Sequence, residues 1–389
     1  MIFYNAKLIL PDCIIPSGWV EVKGGIFTDM GESEPFAAVD CQIDCKGGFL
    51  SPGFIDIHTH GAGGYDFMDG TEEAFVKASQ THMRHGTTTL LPTTLTSSNE
   101  DLFDTMCAFR KIKDRDNMPN LPGLHLEGPY FNVAQKGAQN EKYIRQPERS
   151  NYLDIIKKAE GCILRWSVAP ELPGALEMGK ELSKMGIVMS IGHSDCTYPD
   201  VVKAVQNGYR HITHFYSGMS GVKRVRGKRL LGLIECGYLM DDLTIEIIAD
   251  GMHLPPELLS LILKCKDNNS ISLVTDSMRG AGMPPGYYIL GSLRDGQEVI
   301  VEDGVAKLPD RSAYAGSVAT ADRLVRVMTE QVGLPLYSAV KMLSLNPARV
   351  IGLDQKKGSI EIGKDADFLI FDDQINIKEV YVCGEKRCL

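Results

Sequence analysis

The run GFIDIH, residues 53–58, decides how this chain is read. It is short, apolar and rich in strand formers, and it ends on His58, with His60 two residues on. Strand alternation puts residues two apart on one face, so the two imidazoles share a side. Seven more runs of the same texture follow: TTTLLPTT (87–94), LPGLHLE (121–127), ILRWSVA (163–169), GIVMSIG (186–192), RHITHF (210–215), LTIEIIA (243–249) and SISLVTD (270–276). Between them lie stretches with apolar residues near a 3.6-residue period, among them EEAFVKASQTHMRHG, NEDLFDTMCAFRKIKD, LPGALEMGKELSKMG, YPDVVKAVQNG and PPELLSLILKCK. Eight such runs over about 225 residues have the size and texture of a (β/α)8 barrel. An open doubly wound sheet is the competing architecture. Its phosphate fingerprint, GxGxxG after the first strand, is missing, because GAGGYD (61–66) has the wrong spacing.

On either side of this region the texture changes. Residues 1–50 read as short strands and turns: MIFYNAKLIL, GWVEVKGGIF and CQIDCKGGFL. The tail GSIEIGKDADFLIFDDQINIKEVYVCGEK returns to strands. The expected fold is α/β: a TIM-like barrel over 51–350, with a small β-sandwich domain formed by both chain termini, 1–50 and 351–389. After Asp276 an irregular stretch carries two hairpin signals, Asp-Gly in RDGQ and in EDGV, and reads as a small sheet or flap beside the barrel mouth. Two helices, ATADRLVRVMTEQVG and PLYSAVKMLSLNPARVIG, are expected to close the barrel region.

The 389 residues carry a formal charge of −9, with 43% hydrophobic and 23% charged residues. These are globular values and exclude disorder over most of the chain. A mildly acidic chain without a basic block argues against nucleic acid or an anionic membrane as partner. No apolar run is long enough for a membrane span. The N-terminus lacks the basic and apolar regions of a signal peptide. Ten cysteines without a CxxC pair read as reduced thiols, which points to a cytoplasmic protein.

The chemistry lies at the ends of the apolar runs. His58 and His60 end the first, and Glu127 ends HLEGPY's strand. His193 follows SIG, His214 follows HIT, Asp250 and His253 follow IIA, and Asp276 follows LVT. Any one of these alone reads as a capped helix or a satisfied buried polar group. Six strand ends bearing carboxylate or imidazole would converge on one mouth of a barrel, where catalytic loops sit. Imidazole with carboxylate is a first shell suited to a borderline divalent metal such as zinc or iron. His82 and His85 fall on a helical pattern and read as structural or surface residues. His125 reads equally as core or as support for Glu127, and His211, at a strand start, does not read as a ligand. The run Lys223, Arg224, Arg226, Lys228 and Arg229 is either a solvated loop or an anion site.

PGFIDIHTHG, HLEGPY, GHSD, THFYSGM, IADGMH, LVTDSM, AGS and GSIEIGKDADFLIFD occur in that order. With them the chain resembles the amidohydrolase superfamily and, within it, the N-acetylglucosamine-6-phosphate deacetylase family. The resemblance implies a metal-dependent amidohydrolase that hydrolyses the N-acetyl amide of an amino-sugar phosphate, N-acetylglucosamine 6-phosphate first. It implies a divalent cation (zinc, with iron, manganese or cobalt as alternatives) held by Glu127, His193 and His214. A second cation would be held through His58 and His60, giving one or two per subunit. It makes Asp276 the general base, gives substrate contacts to His253 and to Ala138 and Gln139 of KGAQN, and gives the phosphate to Arg226. It also implies a homodimer. Three departures fall on the substrate side. Ser217 and Gly218 stand where the family usually has Asn-Ala, Gln139 stands where it often has His, and Arg226-Gly227-Lys228-Arg229 replaces an R-x-P-G element. Two other deacetylase substrates, the galacto and manno isomers, therefore stay open. So do a different amidohydrolase such as a deaminase and a non-catalytic binding protein on the same scaffold. Glu127 argues against the ring-opening group.

Overall fold

The computed structural model describes residues 1–33 and 41–388. Part of the expected first segment, residues 34–40, therefore lies outside the described residues.

Eight strands run parallel in one sheet, each beside its neighbour in the chain: β1 Phe54–Thr59, β2 Thr87–Thr94, β3 Leu124–Glu127, β4 Ile163–Val168, β5 Val188–Ile191, β6 Tyr209–Ile212, β7 Thr244–Ile248 and β8 Ile271–Val274. The sheet is a nearly closed barrel, as expected. Closure comes at the end that bears the histidines: the Asp276 N–H donates to the His58 carbonyl (2.9 Å) and the His60 N–H to the Ser277 carbonyl (2.8 Å). At the other end the Leu343 carbonyl takes the Ile55 N–H (2.7 Å).

Helices cover the outside for the reasons the sequence gives. Glu72–Arg84 starts at Thr71, whose hydroxyl accepts the Ala74 N–H, and acidic residues fill its first turn. Asn99–Ile112 starts at Ser98 in the same way. The closing helices differ from expectation. The first, Ala321–Arg326, widens into a π-helical segment over Val327–Gln331. The second breaks into Leu336–Met342 and Leu345–Val350, since Pro347 has no N–H with which to continue the earlier helix.

The two chain ends form a separate sheet. Ile2–Ile9 lies inside it, antiparallel to Ile14–Lys23 and parallel to Phe49–Pro52. Phe368–Phe371 pairs with Phe49–Pro52, and Ile377–Val382 pairs with Phe368–Phe371. The period of two divides the labour: Phe368 and Ile370 enter the sheet's own core, and Leu369 and Phe371 enter the barrel's outer core. After β8, Gly286–Leu290, Gln297–Glu302 and Val305–Lys307 form an antiparallel meander. Its second turn is the Asp303-Gly304 pair, both residues at positive φ, as an Asp-Gly hairpin turn requires.

Candidate active site

Glu127 is the last residue of β3, and His193, His214, Asp250 and Asp276 each stand two residues past the ends of β5, β6, β7 and β8. Three of these have a left-handed backbone, with φ of 45° at His193, 24° at His214 and 45° at Asp276. For a non-glycine residue this costs roughly 1–3 kcal/mol and persists where the surroundings over-determine it.

The side chains meet around Glu127. Its Oε1 lies 3.1 Å from His193 Nε2 and 2.9 Å from His214 Nε2, and those two nitrogens are 3.1 Å apart. Its Oε2 lies 3.4 Å from His60 Nε2. Asp276 Oδ1 is 3.0 Å from His60 Nε2 and 3.4 Å from His58 Nε2. Two groups of three ligand atoms, from His58–His60–Glu127 and from Glu127–His193–His214, each fall within 4.8 Å and share Glu127.

The outer nitrogens show what the inner ones can do. Carbonyl oxygens only accept, so His193 carries its proton on Nδ1, 2.8 Å from the Gln135 carbonyl. His60 Nδ1 likewise faces the Thr93 carbonyl at 3.3 Å, and His58 Nδ1 faces Glu246 Oε1 at 2.6 Å. The Nε2 lone pairs then point at carboxylate oxygens, an arrangement that repels unless a positive charge lies among them. His58 Nε2 is also buried without a hydrogen-bond partner. Imidazole nitrogens with acceptors behind them, facing a shared carboxylate, fit a borderline divalent cation. The cage favours positive charge: burial alone would lower the His58 pKa, but Glu246, Asp276 and Glu127 outweigh it and raise it well above the usual range. Burial likewise tends to raise the Asp276 pKa, and the charges of His58 and His60 with the His60 hydrogen bond hold it below the usual carboxylate value.

A cleft opens above this cage. His60, Glu127, Ala138, Gln139, His193, His214, Ser217, Gly218, His253 and Asp276 line it, together with Leu95, Leu290, Ala313 and Tyr314. Gly218 is at φ 57°, and a Cβ there would come within 2.9 Å of His193 Nδ1 and 3.0 Å of the Gln135 carbonyl, so glycine lets this loop sit closer to the ring than a larger residue could without a shift. The Thr96 N–H donates to Gln139 Oε1 (2.9 Å), which turns the Gln139 amide N–H toward Glu127 Oε2 at 2.6 Å. Gln139 is thus fastened to the cage as well as facing the cleft. Asp250 does not line the cleft. It holds His253 by Nδ1 (2.9 Å) and by the backbone N–H (2.8 Å), leaving Nε2 as the free ring nitrogen.

Arg226 stands apart from the other candidates. It is exposed at the tip of the hairpin Lys223–Val225 and Lys228–Leu230, and it is not among the residues lining the cleft of its own chain. Lys223 is paired with Asp195. His82 and His125 are fully buried: His82 bonds Thr59 Oγ1 (2.9 Å), and His125 bonds Ser167 Oγ (2.7 Å).

Sequence reasoning missed the layer beneath the cage. Glu246, Arg165 and His211 are fully buried beneath the histidines, and Asp56 is fully buried beside Thr275 at the seam of β1 and β8. Glu246 accepts from His58, from Arg165 and from the His214 N–H. Thr275 Oγ1 donates to Asp56, whose pKa burial raises to about 6. One signal was available, a Glu in the middle of the apolar run LTIEIIA. Tyr314, 4.9 Å from the His253 ring, came from a loop with no pattern to mark it.

The sequence profile of the amidohydrolase family matches residues 49–387. An N-acetylglucosamine-6-phosphate deacetylase of Lysinibacillus sphaericus is 34% identical over 374 residues, covering 95% of this chain and 92% of that protein. An N-acetylgalactosamine-6-phosphate deacetylase of Escherichia coli O157:H7 is 32% identical, covering 90% of each. A mutant N-acetyl-D-glucosamine-6-phosphate deacetylase of Mycobacterium smegmatis, solved in complex with N-acetyl-D-glucosamine-6-phosphate, superposes with a TM-score of 0.90 at 28% identity, covering 100% of this chain and 99% of that one. The chain belongs to the N-acetylglucosamine-6-phosphate deacetylase family of the amidohydrolase superfamily, and it is a hydrolase of carbon–nitrogen bonds.

Proposed function

We propose that this enzyme hydrolyses the acetamide of N-acetylglucosamine 6-phosphate to glucosamine 6-phosphate and acetate. The observation that carries this reading is the gathering of Glu127, His193, His214 and Asp276 at the floor of one cleft. Glu127, His193 and His214 would hold one divalent cation, zinc by preference, and His58 and His60 with Glu127 a second. When bound, such a cation acidifies a water and polarises the acetyl carbonyl.

The chain's own residues do the rest. Asp276 takes a proton from the attacking water as the new carbon–oxygen bond forms. It then returns the proton to the amine nitrogen as the carbon–nitrogen bond breaks, because an unprotonated amine is a poor leaving group. His253, its ring fixed by the Nδ1 hydrogen bond to Asp250, presents Nε2 to the cleft as a contact for the substrate. Ser217, Gly218, Ala138 and Gln139 shape the sugar side of the cleft.

Arg226 is assigned the phosphate. Its place on an exposed hairpin, away from its own cleft, supports delivery from a partner copy in a homodimer. The same reading places the enzyme in the cytoplasm and divides the chain near residues 50 and 350. Among the described residues no helix is long and apolar enough to cross a membrane.

A second reading, the galacto isomer as substrate, is favoured by the 32% identity to the N-acetylgalactosamine-6-phosphate deacetylase. An acetate-release screen over phosphorylated and free N-acetyl hexosamines, with added zinc, iron or manganese, tests both. The expected result is release from the phosphorylated gluco sugar. Release only from the galacto or manno sugar would replace the first reading, and ammonia release without acetate would overturn both.

A further inference from the structure

The cleft has two unlike flanks. Ser217 and Gly218, with the rings of His193 and His214, make one of them polar. The other carries the apolar side chains of Leu95, Ala138 and Leu290. Leu95 is the first residue past β2, Ala138 lies in the loop after β3, and Leu290 ends the first strand of the meander. Leu290 belongs to the meander's own apolar core, and Leu95 and Ala138 pack against that core. Gln139, next to Ala138, is bonded to Glu127, so this flank begins at the floor of the cleft. Tyr314, 40% exposed, belongs to the rim.

Behind the apolar flank lies a second cavity of about 40 Å³. Leu95, Ala138, Gln139 and Leu290 line both spaces and so form the partition between them. The two leucines close it together. A Cβ on Gly291 would come within 3.3 Å of Leu95 Cδ1, so the Leu95 methyl lies on the backbone beside Leu290. Met68 adds to the apolar lining of this chamber, and Ser97 and Asp295 give it polar groups. A water takes up roughly 10–15 Å³ of such space, so the chamber has room for about one or two more carbon atoms and not for a long chain.

On the deacetylase reading the reacting carbonyl carbon sits at the floor, beside Asp276 and the cation ligands. Chemistry then sorts its three substituents. The oxygen faces the charged cage, the nitrogen leads to the sugar, and the acyl methyl is the one apolar group left. Leaving water favours that methyl on the apolar flank. We propose that Leu95 and Leu290 are specificity-determining residues that measure the N-acyl chain: they receive the acetyl methyl and shut a longer chain out of the chamber behind them. The inference rests on the deacetylase reading and adds the acyl group that the enzyme selects. With the partition opened, a propionyl amide would be hydrolysed by the same step, water adding to the carbonyl carbon and the carbon–nitrogen bond breaking, to give propionate and the free amino sugar.

The test compares the N-acetyl and N-propionyl forms of the hexosamine phosphate that releases acetate fastest, on the full chain with zinc. The ratio of the two kcat/KM values is taken within one preparation, so loss of folded protein or of metal cancels. Wild type is expected to favour acetyl by about 10–200-fold, the usual worth of one methylene in an apolar pocket. Leu95→Ala and Leu290→Ala should each lower that ratio by about tenfold or more. Leu290 lies in a packed core, where truncation costs stability, and partly buried Leu95 supplies the variant that keeps the fold. Tyr314→Leu, on the rim, should leave the ratio at its wild-type value. A wild type that turns over both amides equally overturns the proposal. So does a wild-type ratio in Leu95→Ala, or a fall of the same size in Tyr314→Leu. An unchanged ratio with acetate release intact breaks this proposal alone, whereas no acetate release from any N-acetyl hexosamine phosphate breaks the deacetylase reading with it.

Discussion

The barrel interior and the core of the sheet of the chain ends are both buried, and they are built from opposite chemistry. The terminal sheet is held by aromatic contacts: Phe368 stacks on Tyr381 with ring centroids 4.4 Å apart and meets Phe3 edge-on at 4.8 Å. The upper barrel interior holds His58, His125, Arg165, His211 and Glu246, with almost no exposed surface among them. Burying ions is costly unless each is paired and hydrogen-bonded, so the interior gains orientation, at some expense in stability. The sheet, with the apolar shell between strands and helices, carries the stability that the interior gives up.

This contrast can be broken at either end. The largest effect is expected from Asp276→Asn, which removes the proton carrier and leaves shape and cage in place. The value of kcat should fall by about 10²–10⁴-fold, with zinc content and Tm near wild type. Full activity in this variant would refute the role given to Asp276. Phe368→Ala should do the reverse. Loss of a buried aromatic costs roughly 3–5 kcal/mol, read as a lower denaturant midpoint, and kcat of the folded fraction should stay unchanged. A parallel fall in kcat would mean that the two regions are not separable.

A smaller effect is expected at the rim. Arg226→Ala should raise KM for phosphorylated substrates roughly 10- to 100-fold and leave neutral sugars unaffected. Equal changes for both would show that no phosphate is read there. The smallest is a pH effect in the outer shell. Burial alone would raise the Asp322 pKa, but the His85 ring at 3.2 Å, the Thr320 hydroxyl and Arg326 outweigh it and bring it to about 2. A depressed carboxylate contributes stability above its unfolded pKa of about 3.9, and that contribution is lost as pH falls toward the folded value. Asp322→Asn should therefore cost about 2 kcal/mol at pH 7 and progressively less below pH 4. Urea midpoints of both proteins across this range would check it, and a gap that widens in acid would reverse the assignment.

Much of the site was legible because its residues stand at strand ends. There an apolar run stops and one polar side chain follows, so Glu127, His193, His214 and Asp276 could be picked out one by one. The layer below was not legible for the opposite reason. Arg165 in ILRWSVA and Glu246 in LTIEIIA sit inside runs whose apolar neighbours disguise them, and neither has meaning until the other is seen 2.5 Å away. Gln139 was read as a substrate contact, and its bond to Glu127 depends on a loop conformation that the Thr96 N–H fixes.

The sequence by itself determined the barrel, the pairing of its two ends into one sheet, the acidic and globular character, and the set of side chains able to hold a cation. Periodicity and strand-end position are local properties, and local properties survive in one dimension. Only the tertiary structure decided which nitrogen of each imidazole faces inward, that Glu127 serves both groups of histidines, and that Arg226 lies outside its own cleft. Those depend on distances between residues far apart in the chain, which closing the barrel sets.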